Sequence, residues 1–162
     1  TDFIASRSQH RLLNKAKRID WQYKLCTRAS TDYFPLFAAY ICHKHADGTM
    51  YPPVQDQLDA MLNCSWLKVR YLEQYYQQQL VAVTIVDETS DAYSAVYTFF
   101  HPDVSALSPG ILAILYLLQC ARQDQKNWLY LGYQINACQK MAYKAAFLPQ
   151  QRFIQGQWHS FG

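Results

Sequence analysis

Polar and apolar positions follow two rhythms along this chain. Over 6–19 the apolar residues Leu12, Ala16 and Ile19 recur at i, i+4 and i+7, which predicts a helix with one buried face. Ser6 and Gln9 have capping-box spacing at its start. Arg7, Arg11, Lys15 and Arg18 fall on another face of it. Residues 22–29 predict a strand. Asp32 is placed to cap a helix over 33–44 with Phe34, Phe37, Ala38 and Ile41 inward. Asp47-Gly48 predicts a turn and Pro52-Pro53 an extended piece, followed by a second helix over 53–62 with Leu58 and Leu62 four apart.

From residue 66 the period drops to two. Runs at 66–76, 80–87 and 93–100, joined by short links, predict an antiparallel meander. The middle run, LVAVTIVD, is apolar and β-branched, so it is expected to be central and buried, and it ends on Asp87. His101-Pro102-Asp103 stops the third run. Ser108-Pro109-Gly110 then opens a long apolar helix, with Ser108 as N-cap and Pro109 in the first turn. Residues 128–131 predict a short buried strand ending at Gly132. Tyr133, Gln134 and Asn136 follow, then a basic segment with Lys140 and Lys144. A rigid strand opening into polar, aromatic and basic groups is one way to build a site, and an ordinary strand–turn–helix fits the same pattern. After Pro149, residues 151–158 read as a last edge strand.

The order of elements predicts an α+β fold. A long helix between the third meander strand and the strand at 128 makes a crossover, and those two strands are then parallel. A mixed, mostly antiparallel sheet flanked by helices, splaying where parallel pairing begins, is the plan of the acyl-CoA N-acyltransferase (GNAT-like) fold. Acyl donors in that fold lie at the splay, near the loop before the crossover helix. Here that loop is Ser108-Pro109-Gly110, and the pyrophosphate pattern Q/R-x-x-G-x-G/A is absent. That argues against acetyl-CoA as donor.

Composition narrows the choices. Hydrophobic residues make up 51% and charged residues 17% of the 162, which excludes a disordered chain. The five cysteines are odd in number, widely spaced and without a CxxC, so neither a disulfide framework nor a zinc knuckle is expected. Reduced thiols and a cytoplasmic location are the simplest expectation. His43 and His45 lie near Cys42 and Asp47, but i and i+2 point apart on a helix, so no metal is expected. No apolar run has membrane-spanning length. The net charge of +3 is modest, and its excess sits in the first helix. That basic stripe suits either a polyanion or a solvated helix face.

Five segments carry a resemblance: SRSQHRLL (6–13), HADGTMYPP (45–53), AYSAVYTFFHPD (92–103), LYLGYQINACQKMAYKAAFLP (129–149) and GQW (156–158). In that order they resemble the C-terminal domain of bacterial aminoacyl-tRNA–protein transferases of the aspartate/glutamate leucyltransferase group, relatives of the arginyl-tRNA–protein transferases. The resemblance implies residues 1–20 as a basic helix leading in from a preceding domain, and 21–162 as a GNAT-like aminoacyltransferase domain. It implies transfer of Leu from Leu-tRNA, or Arg from Arg-tRNA, to the α-amine of protein N-termini beginning with Asp or Glu, which tags those proteins for degradation. Activity is expected of the longer protein. A GNAT-type acetyltransferase or a non-catalytic tRNA- or degron-binding module are the other readings.

An aminoacyl ester is already activated, so no cofactor is implied. The amine must be deprotonated, the tetrahedral oxyanion needs donors, and the acidic acceptor and tRNA phosphates need cations. Under that chemistry Asp87 is the candidate to orient or deprotonate the amine, with a turn cap beside Glu88 as its plain alternative. Tyr97, Thr98 and Tyr133 are the candidate catalytic hydroxyls. Lys140 and Lys144 are candidates for the acceptor carboxylate or tRNA phosphate. Arg7, Arg11 and Lys15 suit the tRNA backbone, and Gly110 the phosphate of the terminal adenosine.

Overall fold

The computed structural model describes residues 3–135 and 139–162. Asn136 and Cys138 lie outside the described residues, as does the side chain of Lys140.

The first helix, α1 (Arg7–Arg18), starts as its sequence demands. The Ser6 hydroxyl accepts from the Gln9 backbone N–H, and the Gln9 side-chain oxygen accepts from the Ser6 N–H at 2.7 Å. Strand β1 (Gln22–Cys26) follows, then α2 (Tyr33–Lys44) and α3 (Gln55–Leu62). The meander is β2 (Lys68–Tyr76), β3 (Gln79–Glu88) and β4 (Ala92–Phe100). A 3-10 turn at Pro102–Leu107 leads into α4 (Pro109–Gln123), and β5 (Trp128–Tyr130) comes next. Helix α5 (Gln139–Ala142) runs into a second 3-10 turn, Tyr143–Ala146, before β6 (Gln150–Ile154) and β7 (Gln157–Phe161).

Strands β1 to β5 form one sheet in sequence order. Neighbours are antiparallel except β4 and β5, which are parallel, as the crossover through α4 requires. The sheet separates two apolar layers. On one side Leu72, Val86 and Tyr93 pack against Leu112 and Leu117 of α4 and Ala16 of α1. On the other, Val83, Ile85 and Phe99 pack against Tyr33, Phe37 and Ile41 of α2 and Leu58 of α3. Strand β3 is buried on both faces, as its continuous apolar run predicts.

Four expectations change. Strand β5 is not buried: it pairs on one side only, through three residues, so Trp128 and Tyr130 remain half-exposed. The tail at 151–158 is not one edge strand. Gln155 and Gly156 both take positive φ (50° and 83°), the backbone of a tight hairpin turn, and fold it into a separate β6–β7 ribbon. Asp32 makes no capping bond through its side chain. Nor does Ser108, whose φ of 55° places it in the left-handed region between the 3-10 turn and α4.

Candidate active site

One irregularity in β4 decides which side chains meet. Ile85 pairs with Tyr97 and Val86 with Ala95, so Val96 has no partner and bulges. Before the bulge Tyr93 and Ala95 face α4; after it Tyr97 and Phe99 face α2. The bulge therefore moves Tyr97 onto the face that carries Asp87, whose neighbour Val86 faces α4. Asp87 lies opposite Ser94, and Ser94 lies beside Tyr130 of β5. Past that row β5 stops, whereas β4 runs on to Phe100, so the two strands part.

Aromatic groups surround β4 where it parts from β5. The Tyr40 ring of α2 meets Tyr97 edge-on at 6.4 Å, Phe100 at 4.9 Å and His45 at 5.4 Å. The Tyr97 hydroxyl points to the Met50 sulfur at 3.7 Å, a weak acceptor. From the other direction, the Tyr143 hydroxyl lies 3.8 Å from where a Cβ on Gly110 would stand. Lys144 lies equally close to Gly132, whose φ of +73° suits glycine, and its ammonium donates to the Tyr133 carbonyl at 2.8 Å.

The electrostatics are uneven. The Asp87 side chain has no hydrogen bond or ion pair among the described residues, and burial raises its pKa. It does not cap the turn. Thr89 does that, accepting from the Ala92 N–H at 3.0 Å, while Glu88 is held by Arg70 at 2.6 Å and Lys126 at 3.1 Å. Burial, reinforced by Tyr40, pushes Tyr97 up to about 12. Burial also raises Tyr40 and Tyr143, so all three hydroxyls keep their protons at neutral pH and can donate. Burial lowers the pKa of Lys144.

The candidates thus separate. Asp87 and Tyr97 come together on one face. Thr98 points the other way, its hydroxyl 2.9 Å from that of Thr84 on the α4 side, because successive strand residues face opposite sides. Tyr133 is 87% exposed beyond the end of β5, so it is not an enclosed hydroxyl. Gly110 sits in the first turn of α4 beneath Tyr143. Arg7, Arg11 and Lys15 are all exposed on α1. Sequence reasoning missed Tyr40, Met50 and Tyr143 as neighbours of this region. Met50 and Tyr143 lay inside the quoted HADGTMYPP and CQKMAYK segments; for Tyr40 nothing in the pattern signalled it.

Similar proteins agree with this architecture. Residues 32–154 match the family model described as arginine-tRNA-protein transferase, C terminus. An aspartate/glutamate leucyltransferase of Vibrio parahaemolyticus is 43% identical over 158 residues, covering 97% of this chain and 66% of that relative. The chain thus spans just under two thirds of that relative's length. Among solved structures, the C-terminal domain of a protein described as a lysylphosphatidylglycerol synthetase, from Agrobacterium fabrum, superposes with a TM-score of 0.59 at 12% identity, covering 78% of this chain and 41% of that one. A ribosomal-protein-alanine N-acetyltransferase of Brucella melitensis gives 0.51 at 14% identity, over 76% and 86%. These two likenesses show the acyltransferase-type, GNAT-like fold. The sequence match shows more: this chain belongs to the arginine-tRNA-protein transferase family, as its C-terminal part.

Proposed function

We propose that the protein to which this chain belongs transfers an amino acid, leucine, from aminoacyl-tRNA to the N-terminal α-amine of proteins beginning with Asp or Glu. The observation that carries this is a half-buried, unpaired Asp87 on the same sheet face as a protonated Tyr97, in a chain 43% identical to a relative named aspartate/glutamate leucyltransferase. In the transfer a C–N bond forms at the ester carbonyl and the C–O bond to the ribose breaks. The proton lost by the amine ends on the released ribose hydroxyl. Asp87 takes the proton from the attacking amine; its raised pKa brings it closer to that task than an exposed carboxylate. Tyr97, whose hydroxyl meets only a thioether among the described residues, turns it to the oxyanion. Lys144 meets the acidic side chain of the acceptor, and Lys140 stands in the same segment. Arg7, Arg11 and Lys15 hold tRNA phosphates. On this reading the transfer needs no cofactor, marks the acceptor for degradation and takes place in the cytoplasm.

The test uses the full-length protein with labelled Leu-tRNA and peptides starting in Asp, Glu or Ala. Labelling of the first two alone is expected; equal labelling of all three, or of none, overturns the reading. Arg-tRNA in a parallel reaction decides the donor.

A further inference from the structure

The β6–β7 ribbon presents aromatic rings where a small ribbon would ordinarily be polar. Phe153 and Trp158 are cross-strand partners with ring centroids 5.2 Å apart, and Trp158 reaches Tyr130 of β5 at 6.5 Å. Phe153 is 62%, Trp158 56% and Tyr130 45% exposed. The rings are tilted by 53° and 46° rather than stacked, so they do not cover one another's faces. Three neighbouring aromatic rings left in water mark a surface that another molecule or segment covers.

Charge identifies the occupant. No Asp or Glu follows Asp124, whereas Lys140, Lys144, Arg152 and His159 all do. Arg152 and His159 pair on the opposite face of the ribbon from Trp158, with the Arg152 guanidinium over Phe161 at 4.4 Å. Aromatic rings on a stretch of chain that carries basic residues and no carboxylate match the faces of bases on a phosphate backbone. Position supplies the second argument. Tyr130 neighbours Ser94, and Ser94 neighbours Asp87 on the same sheet face, so two strand spacings, roughly 10 Å, separate the ring from the carboxylate. That separation is comparable with one nucleoside and its aminoacyl ester.

We propose that Tyr130, Trp158 and Phe153 form a stacking platform for the single-stranded 3′ end of the donor RNA, placing the ester of its last nucleotide over Ser94 and Asp87. The platform rests on the aminoacyl-transfer reading and adds the place where the donor end is held. Binding of a 5′-fluorescein RNA tetramer ending in CCA to the full-length protein, followed by anisotropy, tests it together with transfer kinetics. Trp158→Ala and Tyr130→Ala are each expected to weaken RNA binding roughly tenfold. They also raise KM for aminoacyl-tRNA and leave KM for the acceptor peptide unchanged. Trp158→Phe keeps binding near the parent value, and Phe153→Ala decides the matter if circular dichroism shows Trp158→Ala to be misfolded. RNA binding indifferent to all three alanine variants overturns the platform, even if leucyl transfer is found. A change in peptide KM alone overturns it too, in favour of a polypeptide surface. Trp158-dependent RNA binding in a protein that transfers nothing leaves the platform standing and removes the transfer reading instead.

Discussion

Asp87 and Tyr97 share a face of the sheet because Val96, between Ala95 and Tyr97, has no partner on β3. Were Val96 paired regularly instead, the alternation of β4 would carry Tyr97 to the α4 side, where Tyr93 and Ala95 lie. The bulge also stands where β4 and β5 part, so one irregularity both frees the strand edge and turns a hydroxyl toward a carboxylate.

Deleting Val96 is therefore expected to straighten the strand rather than to scramble it. The residue is half-exposed, and Val96→Thr should alter stability by no more than about 0.5 kcal/mol. Deletion leaves Tyr97 opposite Ile85, Thr98 opposite Thr84 and Phe99 opposite Val83, so both apolar layers keep their side chains and only the local bend is lost. The expected outcome is cooperative thermal unfolding in both variants, with a near-parental melting temperature in Val96→Thr, read by circular dichroism; loss of cooperative unfolding on deletion would mean that the bend itself holds the fold.

Asp87→Asn should separate activity from stability. Burial raises the Asp87 pKa, so the folded state holds that proton more tightly than the unfolded chain. The stability tied to this group is present at low pH and lost as pH rises between its unfolded and folded pKa. An amide cannot carry the charge, so the variant is expected to melt no lower than the parent at pH 7. Its leucyl transfer is expected to fall roughly 100-fold or more. A variant that melts lower and transfers normally makes Asp87 structural.

Glu73 behaves in the opposite sense. Burial alone would raise its pKa, but hydrogen bonds from Tyr33 (2.6 Å), Tyr75 (2.7 Å), Cys26 (3.1 Å) and Lys24 (3.2 Å) outweigh it and hold the pKa down. This contribution is present above the unfolded pKa and lost as pH falls through the folded one. Glu73→Gln cannot accept from four donors, and it is expected to cost about 1–3 kcal/mol at pH 7. The gap between variant and parent should close in acid, as measured by urea denaturation at several pH values.

What the sequence made legible follows from the range of the forces involved. The capping box at Ser6 and Gln9, the helix at 33–44 and the run LVAVTIVD were readable because spacing and burial along one segment dictate them. The bulge at Val96 was not, since whether β4 slips depends on how α2 and α4 compete for its side chains across the sheet. Tyr97 and Thr98 looked like a pair of site hydroxyls, yet a strand sends neighbours apart, and Thr98 ends on Thr84. Gln155-Gly156 was a short-range turn signal, and giving it less weight than the apolar residues around it hid the ribbon that carries Trp158.

Lys144 offers a test of acceptor recognition. Burial lowers its pKa, and its ammonium donates to the Tyr133 backbone carbonyl, so no carboxylate among the described residues offsets its charge there. Lys144→Gln is expected to raise KM for an Asp-starting peptide about tenfold while leaving KM for Leu-tRNA near the parent value. Lys144→Arg should recover part of the loss. Equal effects on both substrates would place the ammonium at the tRNA end instead.

The outer face of α1 gives the last test. Arg7, Arg11 and Lys15 are exposed, whereas Gln9 and Ala16 on the opposite side are buried and Gln9 donates to the Ala146 carbonyl at 3.2 Å. Changing the three basic residues to Gln thus removes charge without disturbing how the helix packs. Each phosphate contact releases counterions, and its loss should flatten the plot of log Kd against log salt by about 0.7–0.9. If all three residues meet tRNA phosphates, the slope falls by roughly two to three, and affinity at low salt falls while binding at high salt converges on the parent. The melting temperature should not move. A parental salt slope in the triple variant makes the stripe a solvated helix face and sends the search for tRNA phosphate contacts to Arg152, Lys144 and the other basic groups after Asp124.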